Sequence, residues 1–210
     1  MDISKIKQEL KIAYDKDSKR RSDKDYKRDD WKIKLRKKFL DLLKKENKKT
    51  LLELGAGAGM DSKYFSENGI NVLSTDLSEG MVNACKQIGL NAVVLDLYEI
   101  SSLNKKFDAV FSMNVLLHVP KNDLSKVLKD IHNTLNKNGL FYYGVYGGVD
   151  EESTFTDNQK MGLPRFFSFL SDETITNLVK EFFEVIEFET VDIHAKREGF
   201  HYQSLILRKK

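Results

Sequence analysis

The feature that most constrains this chain is a glycine-rich turn between an apolar run and a polar one, Leu51-Leu52-Glu53-Leu54-Gly55-Ala56-Gly57-Ala58-Gly59-Met60-Asp61. Glycine has no Cβ, so the backbone can adopt positive φ and approach a ligand closely. A strand-to-helix turn of this kind directs backbone N–H groups and a helix N-terminus towards a bound group. The run therefore predicts a cofactor turn, and a tight turn without a ligand is the alternative.

The spacing of the glycines distinguishes two kinds of cofactor turn. Dinucleotide-binding turns have the pattern Gly-x-Gly-x-x-Gly, whose third glycine lets the helix pack closely on the sheet. Counting from Gly55, that third glycine would fall at Met60, and the chain has Gly-x-Gly-x-Gly instead. The spacing disfavours an oxidoreductase that uses a nicotinamide cofactor, which stays an alternative function.

Two acidic residues follow the next two apolar runs. Asp76 ends the run that begins at Ile70, and Asp96 directly follows the run 92–95. An acid in the position of Asp76 can accept the hydroxyls of a ribose, whereas the plain alternative for each acid is a helix cap or a loop residue. Because the carboxyl ends of parallel strands lie at one edge of a sheet, the glycine turn and both acids are predicted to share one ligand site.

This order of motifs, from Thr50 to Leu140, resembles the class I S-adenosylmethionine-dependent methyltransferases. The segment 107–119 is similar to the fourth strand of that family and the loop beyond it. The resemblance implies that the glycine turn faces the methionine moiety, that Asp76 holds the ribose and that Asp96 bonds the adenine amino group. The residues implied in the cofactor site are Tyr14, Glu53, Gly55, Ala56, Gly57, Gly59, Asp61, Asp76, Leu77, Met81, Asp96, Leu97, Asn114 and Leu117, with Leu77, Met81 and Leu97 beside the adenine.

One residue departs from the family pattern. Many relatives with this continuation carry an arginine where the chain has Met60, so Arg20, Arg21 or Arg28 is the hypothesised partner of the methionine carboxylate. In the family, N-terminal helices fold over the cofactor. The ring of Tyr14 would there face the sulfonium, since aromatic π-clouds attract cations. Alternatively, Tyr14 ends a buried apolar stripe.

The rest of the pattern predicts an α/β fold with a Rossmann-like, doubly wound, mostly parallel sheet of seven strands whose last strand is antiparallel. The predicted strands are 50–54, 71–75, 92–95, 109–112, 139–146, 183–193 and 200–207, and the predicted helices are 61–68, 78–86, 122–135 and one beginning at Ser171. Apolar residues spaced by three and four predict N-terminal helices over 3–14 and 31–43, with a loop or mobile segment from Asp15 to Asp30. We expect a single methyltransferase domain, 1–210, with residues 1–48 as a helical cap and 49–210 as the core.

Composition and charge narrow the class of protein. With 40% hydrophobic and 32% charged residues, one cysteine and no apolar run of the ~18 residues that span a membrane, the sequence predicts a cytoplasmic monomer or homodimer. No His or Cys pair has metal-ligand spacing, so no metal is expected. The first 50 residues hold 19 Lys and Arg against 10 Asp and Glu. Their signs alternate, which favours a solvated helical face, and an RNA methyltransferase using this region stays an alternative.

Methyl transfer from a sulfonium is an in-line displacement, so the protein mainly aligns the two reactants in a water-excluded cleft. His118 is the candidate base for an acceptor that must lose a proton, and its alternative role is to hold a loop by a hydrogen bond. Tyr146, Arg165 and Phe166 are the candidate acceptor-binding residues, with Arg165 meeting an acidic group. The sequence thus predicts a methyltransferase acting on a small molecule, with a non-catalytic S-adenosylmethionine-binding module as a further alternative.

Overall fold

A computed structural model describes residues 2–23, 29–156, 162–195 and 197–210. The helices are α1 Ile3–Arg21, α2 Asp30–Lys45, α3 Met60–Glu67, α4 Glu79–Gln87, α5 Lys121–Thr134 and α6 Asp172–Lys180. The strands are β1 Thr50–Leu54, β2 Asn71–Asp76, β3 Ala92–Val94, β4 Phe107–Met113, β5 Leu135–Gly147, β6 Glu151–Thr156, β7 Pro164–Phe169, β8 Phe183–Val191 and β9 His201–Lys209. Short 3-10 helices follow β3 and β4, at Leu97–Leu103 and Leu116–His118. In the part of the chain described, no helix is both long and apolar enough to cross a bilayer.

Seven strands form one sheet in the order β3-β2-β1-β4-β5-β9-β8. Strand β9 runs antiparallel to both of its neighbours, and every other neighbouring pair is parallel. This arrangement confirms the predicted doubly wound sheet with an antiparallel last strand. The register pairs Leu54 with both Thr75 and Ser112, so the carboxyl ends of β1, β2 and β4 lie at the same edge.

Apolar side chains are buried on both faces of this sheet. On one face, residues of α5 and α6 pack against β4 and β5. On the other, Phe39 of α2 and Phe65 of α3 pack on the Phe111 ring, with centroid distances of 5.8 and 5.0 Å. Phe111 in turn stacks on Tyr142 at 4.6 Å. Since both faces of the sheet are covered by helices, close packing holds the strand ends at the ligand edge in fixed positions.

Helix α1 extends to Arg21, so the prediction of a loop was wrong for residues 15–21. Asp17 is only 4% exposed, and its carboxylate lies 2.6 Å from Nε of Arg20 and 2.7 Å from Nε of Arg21. Ion pairs three and four residues apart stabilise a helical turn that has few apolar residues. Apolar spacing alone does not reveal such a turn. Residues 24–28 of the predicted loop lie outside the described residues.

Strands β6 and β7 form a separate antiparallel hairpin, which was not predicted from the sequence. In β7, Phe166 is buried against Ile6 and Leu10 of α1. Side chains alternate along a strand, so Arg165 and Phe167 lie on the opposite face from Phe166. The hairpin and α1 together cover the carboxyl edge of the large sheet.

Candidate functional site

A cavity of about 560 Å³ lies at that edge, beneath α1 and the hairpin. The predicted site residues that line it are Tyr14, Gly55, Ala56, Gly57, Asp61, Asp76, Leu77, Asp96, Leu97, Asn114, Leu117, His118, Tyr146 and Arg165. Open α/β sheets bind their ligands at the carboxyl ends of the strands, and the volume is within the ~300–1,000 Å³ of small-molecule sites. The structure therefore brings most of the predicted residues to one cavity.

Four predicted residues lie outside the cavity lining. Glu53 is 3% exposed and accepts a hydrogen bond from the Ser62 hydroxyl of α3. Gly59 directly precedes α3, Met81 is fully buried in α4, and Phe166 faces α1. Any effect of these residues on a ligand passes through the residues that do line the cavity.

Other lining residues were not predicted. Lys7 lies two helical turns before Tyr14 on α1, and that spacing puts both on one helix face, so it was a usable signal. Phe167 is two residues after Arg165, and strand alternation selects it over Phe166. Lys32 reaches the cavity because α2 packs beside it, which no local sequence signal indicates.

The three glycines of the turn have positive φ, but their surroundings differ. A Cβ on Gly55 would lie 2.5 Å from Cγ2 of Val115, and one on Gly59 would lie 2.5 Å from Cδ1 of Leu90. A Cβ on Gly57 would meet no atom of the described residues within 4 Å, and Gly57 lines the cavity. Packing thus requires Gly55 and Gly59, whereas Gly57 leaves space on the ligand side.

Asp76 connects the glycine turn to the start of α4. Its Oδ2 accepts from the Gly57 N–H at 2.9 Å, and its Oδ1 accepts from the Ser78 N–H at 2.9 Å. Burial raises the pKa of the Asp76 carboxyl, and these two hydrogen bonds oppose the rise. Each carboxylate oxygen has a further lone pair. Asp76 can therefore accept ligand hydroxyls while it holds the turn.

Asp96 ties the end of β3 to α1. Its Oδ1 accepts from the Tyr98 N–H at 2.9 Å, and its Oδ2 lies 2.6 Å from Nζ of Lys7. The same ammonium group lies 4.1 Å from the centroid of the Tyr98 ring. The Asp96 carboxylate is therefore fixed at the cavity wall with its charge compensated by α1.

Asp15 makes a second link from α1 to the sheet edge. Its Oδ1 accepts from the Ser78 hydroxyl at 2.5 Å and from the Gly80 N–H at 2.9 Å. Burial opposes ionisation of Asp15, but the bonds from Ser78, Gly80 and Lys11 hold its pKa below the usual range. A charged carboxylate of α1 thus caps the first turn of α4.

His118 uses both of its ring nitrogens inside the protein. Nδ1 lies 2.7 Å from the carbonyl oxygen of Phe166, and Nε2 lies 2.7 Å from the hydroxyl of Tyr14. A carbonyl oxygen only accepts, so Nδ1 carries the proton and Nε2 accepts from Tyr14. Burial lowers the pKa of His118 to about 4. The geometry favours the hydrogen-bonding role, because a base at Nε2 would first have to lose the Tyr14 hydroxyl.

A buried ion pair lies next to Met60, the position that departs from the family pattern. Nη1 of Arg36 lies 3.1 Å from Oδ1 of Asp61 and donates to the carbonyl oxygen of Met60 at 3.2 Å. Arg36 and Asp61 are 9% and 4% exposed. Helix α2 therefore places a guanidinium beside the glycine turn.

The arginines hypothesised to replace a cation at Met60 have different positions. Arg20 and Arg21 line the cavity, and both also pair with Asp17. Arg28 lies outside the described residues. A role for Arg20 or Arg21 as the partner of the methionine carboxylate thus stays a prediction.

A doubly wound sheet with a glycine turn and carboxylates at the next two strand ends defines a nucleoside-binding domain of the Rossmann-like class. The chain belongs to the methyltransferase domain family, whose family model matches residues 26–187. The match confirms the family resemblance predicted from the motifs.

Curated relatives agree with this membership. The uncharacterized methyltransferase C70.08c of Schizosaccharomyces pombe is 34% identical over 143 residues, which are 62% of this chain and 54% of that protein. The chain spans about half the length of the curated relatives it matches.

Two solved structures share the fold. The 1,6-didemethyltoxoflavin-N1-methyltransferase of Burkholderia thailandensis, crystallised with 1,6-didemethyltoxoflavin and S-adenosylhomocysteine, has a TM-score of 0.68 at 18% identity, over 99% of this chain and 89% of that chain. The magnesium protoporphyrin IX methyltransferase of Synechocystis PCC 6803, with S-adenosylmethionine bound, has a TM-score of 0.68 at 15% identity, over 97% of both chains. At these identities the likeness shows the fold alone.

Proposed function

We propose that the chain transfers a methyl group from S-adenosylmethionine to a small-molecule acceptor. The observation that carries the proposal is the meeting of Gly57, Asp76 and Asp96 at one cavity, from the ends of three neighbouring strands. Asp76 would accept the ribose hydroxyls, Asp96 the adenine amino group, and the Gly57 backbone would contact the methionine moiety. Membership of the methyltransferase domain family supports this assignment.

The residues present fit such a cofactor. Gly57 leaves open space where a side chain would stand, and Asp76, which lines the cavity, has lone pairs beyond its two backbone hydrogen bonds. The Oδ1 atom of Asn114, after β4, is buried without a hydrogen-bond partner among the described residues. A ligand donor in the cavity would satisfy that oxygen.

S-adenosylmethionine would supply an electrophilic methyl group on a sulfonium. The residues of the chain would position the acceptor in line with that methyl and exclude water from the reaction. Helix α1 performs the second task, since Lys7, Tyr14 and Asp15 hold it over the strand ends. A neutral His118 leaves the Tyr14 ring next to the reaction space without adding a positive charge to it.

The ion pairs of the N-terminal region favour a small acceptor over RNA. Lys11 pairs with Asp15, Arg20 and Arg21 pair with Asp17, and Lys37 pairs with Asp41. A nucleic-acid surface instead presents cations to phosphates. The names of these two solved neighbours also specify small molecules, 1,6-didemethyltoxoflavin and magnesium protoporphyrin IX. We further infer a reducing, cytoplasmic setting, in which Cys85 stays the buried free thiol it is here.

The experiment uses S-adenosylmethionine labelled at its methyl group, incubated with the protein and either a small-molecule extract or total RNA. We expect label in one or a few small organic molecules, and no label with the Asp76→Ala variant. Label in RNA would replace the small-molecule proposal with the RNA methyltransferase. Binding of S-adenosylhomocysteine without transfer to either pool would indicate a binding module, and thermal stabilisation by NAD alone would indicate an oxidoreductase.

A further inference from the structure

Most cations that line the cavity have a carboxylate partner within the protein. They lie 2.6–2.8 Å from a carboxylate oxygen and are Lys7, Arg20, Arg21 and Lys32. Arg165 of β7 is the exception, since it has no carboxylate partner in residues 2–23, 29–156, 162–195 and 197–210. The cavity therefore contains one cation whose charge the described residues leave uncompensated.

The guanidinium of Arg165 lies over an aromatic ring. Its Cζ lies 5.2 Å from the centroid of Phe167, and its buried Nε has no acceptor among the residues that the structure describes. Phe167 in turn contacts the His118 ring at a centroid distance of 4.9 Å. A buried donor without a partner costs free energy, which a ligand acceptor would recover.

The pKa values of Tyr14 and His118 are both affected by the positive charge of Arg165. Burial raises the pKa of Tyr14, and Arg21 and Arg165 oppose that rise. Burial also lowers the pKa of His118, and the same two arginines lower it further. Both arginines therefore act on the space around the Tyr14 hydroxyl.

We propose that Arg165 binds a carboxylate group of the methyl acceptor, and that the acceptor is a flat aromatic carboxylate. This rests on the function proposed above. A planar guanidinium matches the two oxygens of a carboxylate. The rings of Phe167 and Tyr146, both in the cavity lining, provide flat apolar surface for the rest of the acceptor.

The cofactor also has a carboxylate that could bind a cation in this cavity. The positions of the cations indicate which of them binds the cofactor carboxylate and which binds the acceptor carboxylate. Arg36 lies beside Met60, directly after the glycine turn, and Lys32 lies one helical turn before Arg36 on α2. Arg36 is thus on the side of the glycine turn, where the methionine moiety is assigned, whereas Nζ of Lys32 lies 5.6 Å from the centroid of the Tyr146 ring. Arg165 approaches from the hairpin, beside His118, and is left for the acceptor.

The test measures binding of benzoate and of benzamide, its neutral amide, to protein saturated with S-adenosylhomocysteine. Titration calorimetry is done on the wild type, on Arg165→Met and on Arg197→Met. Arg197 is the matched control because it is exposed outside the cavity and pairs with Glu151 of the same hairpin. We expect benzoate to bind more tightly than benzamide, with about a tenfold or larger loss in Arg165→Met only, as for a charge-assisted hydrogen bond. Equal binding of the two probes, or an unchanged benzoate affinity in Arg165→Met, would overturn the proposal.

A second arm identifies the source of the anion. Affinities for S-adenosylhomocysteine and for 5′-methylthioadenosine, which lacks the amino-acid carboxylate, are measured for the wild type and Arg165→Met. We expect the ratio of the two affinities to stay the same in the variant. A selective loss of S-adenosylhomocysteine binding would assign Arg165 to the cofactor and overturn the acceptor site. Failure of the wild type to bind S-adenosylhomocysteine would instead contradict the proposed function itself.

Discussion

The hydroxyl of Tyr14 donates a hydrogen bond to Nε2 of His118 over 2.7 Å, and this one contact joins α1 to the loop after β4. His118 continues the chain of hydrogen bonds through Nδ1 to the carbonyl oxygen of Phe166 in β7. Three elements that are distant in sequence thus meet at one imidazole. The neutral state of that ring lets Nε2 accept from Tyr14 while Nδ1 donates to Phe166.

The stability of the protein should fall as the pH falls through the range set by His118. Its folded pKa of about 4 lies below the ordinary value of 6.5, so the unfolded chain binds the proton first. The stabilisation is complete above about pH 6.5 and is lost as the pH falls towards 4, by on the order of 3 kcal/mol in total. Urea denaturation of the wild type and His118→Asn at pH 7, 6 and 5 measures this.

The His118→Asn variant should lose the corresponding part of the pH dependence. Nitrogen-15 NMR of the wild-type imidazole should in addition show the neutral form protonated at Nδ1 at pH 6. Equal pH slopes for the two proteins, or a ring that titrates near pH 6.5, would show that His118 is free to act as a base.

Alanine substitutions at two glycines should separate ligand binding from packing. Gly57→Ala adds a methyl group towards the cavity, where no described atom lies within 4 Å, so it should weaken S-adenosylhomocysteine binding most. Gly59→Ala brings a Cβ to 2.5 Å from Leu90 and 3.0 Å from Sγ of Cys85, so it should cost about 1–3 kcal/mol more stability than Gly57→Ala. Calorimetry and urea denaturation measure the two effects, and the reverse order would contradict the assignment.

Asp76→Ala should abolish the preference of the protein for ribose hydroxyls. Because Asp76 also accepts the Gly57 and Ser78 N–H groups, the substitution will loosen the turn as well. The informative quantity is therefore the ratio of affinities for adenosine and 2′,3′-dideoxyadenosine. We expect about a tenfold preference for adenosine in the wild type and little in the variant. A preserved preference would remove Asp76 from the ribose site.

Asp15→Ala should undock α1 while the sheet stays folded. The variant loses the hydrogen bonds from the Ser78 hydroxyl and the Gly80 N–H, which are worth about 1.5–3 kcal/mol as bonds to a charged group. Hydrogen exchange should accelerate over residues 3–21 and stay unchanged in β1 and β4. Asp41→Ala, which removes an exposed pair with Lys37, is the matched control. Equal exchange in both variants would show that Asp15 does not hold α1.

The fold could be predicted from the sequence wherever burial sets the pattern. Strand β1 has the predicted bounds, because its positions after Thr50 are all buried and the glycine turn ends it. The secondary-structure prediction was wrong where polar or long-range contacts determine the local structure. Residues 15–21 are helical through the ion pairs of Asp17, and the hairpin β6–β7 was missed because its buried Phe166 depends on α1 for a partner.

The site residues that could be predicted from the sequence are those that belong to a recognisable sequence motif. Asp76 is the last residue of β2, Gly57 and Asp96 lie just after β1 and β3, and the register of the sheet brings all three to one cavity. Lys32 and Arg36 could not be predicted, because they reach the site only through the packing of α2. Phe167, and not the predicted Phe166, lines the cavity, and the alternation of side chains along a strand could have predicted this.

Cofactor binding at the glycine turn and Asp76 is tested most directly by calorimetric titration of the purified wild-type protein with S-adenosylhomocysteine, alongside NAD and the Asp76→Ala variant. We expect one S-adenosylhomocysteine site per chain, a clearly weaker site in Asp76→Ala and no heat of binding with NAD. Absence of S-adenosylhomocysteine binding, or binding of equal strength in Asp76→Ala, would contradict the proposed cofactor site.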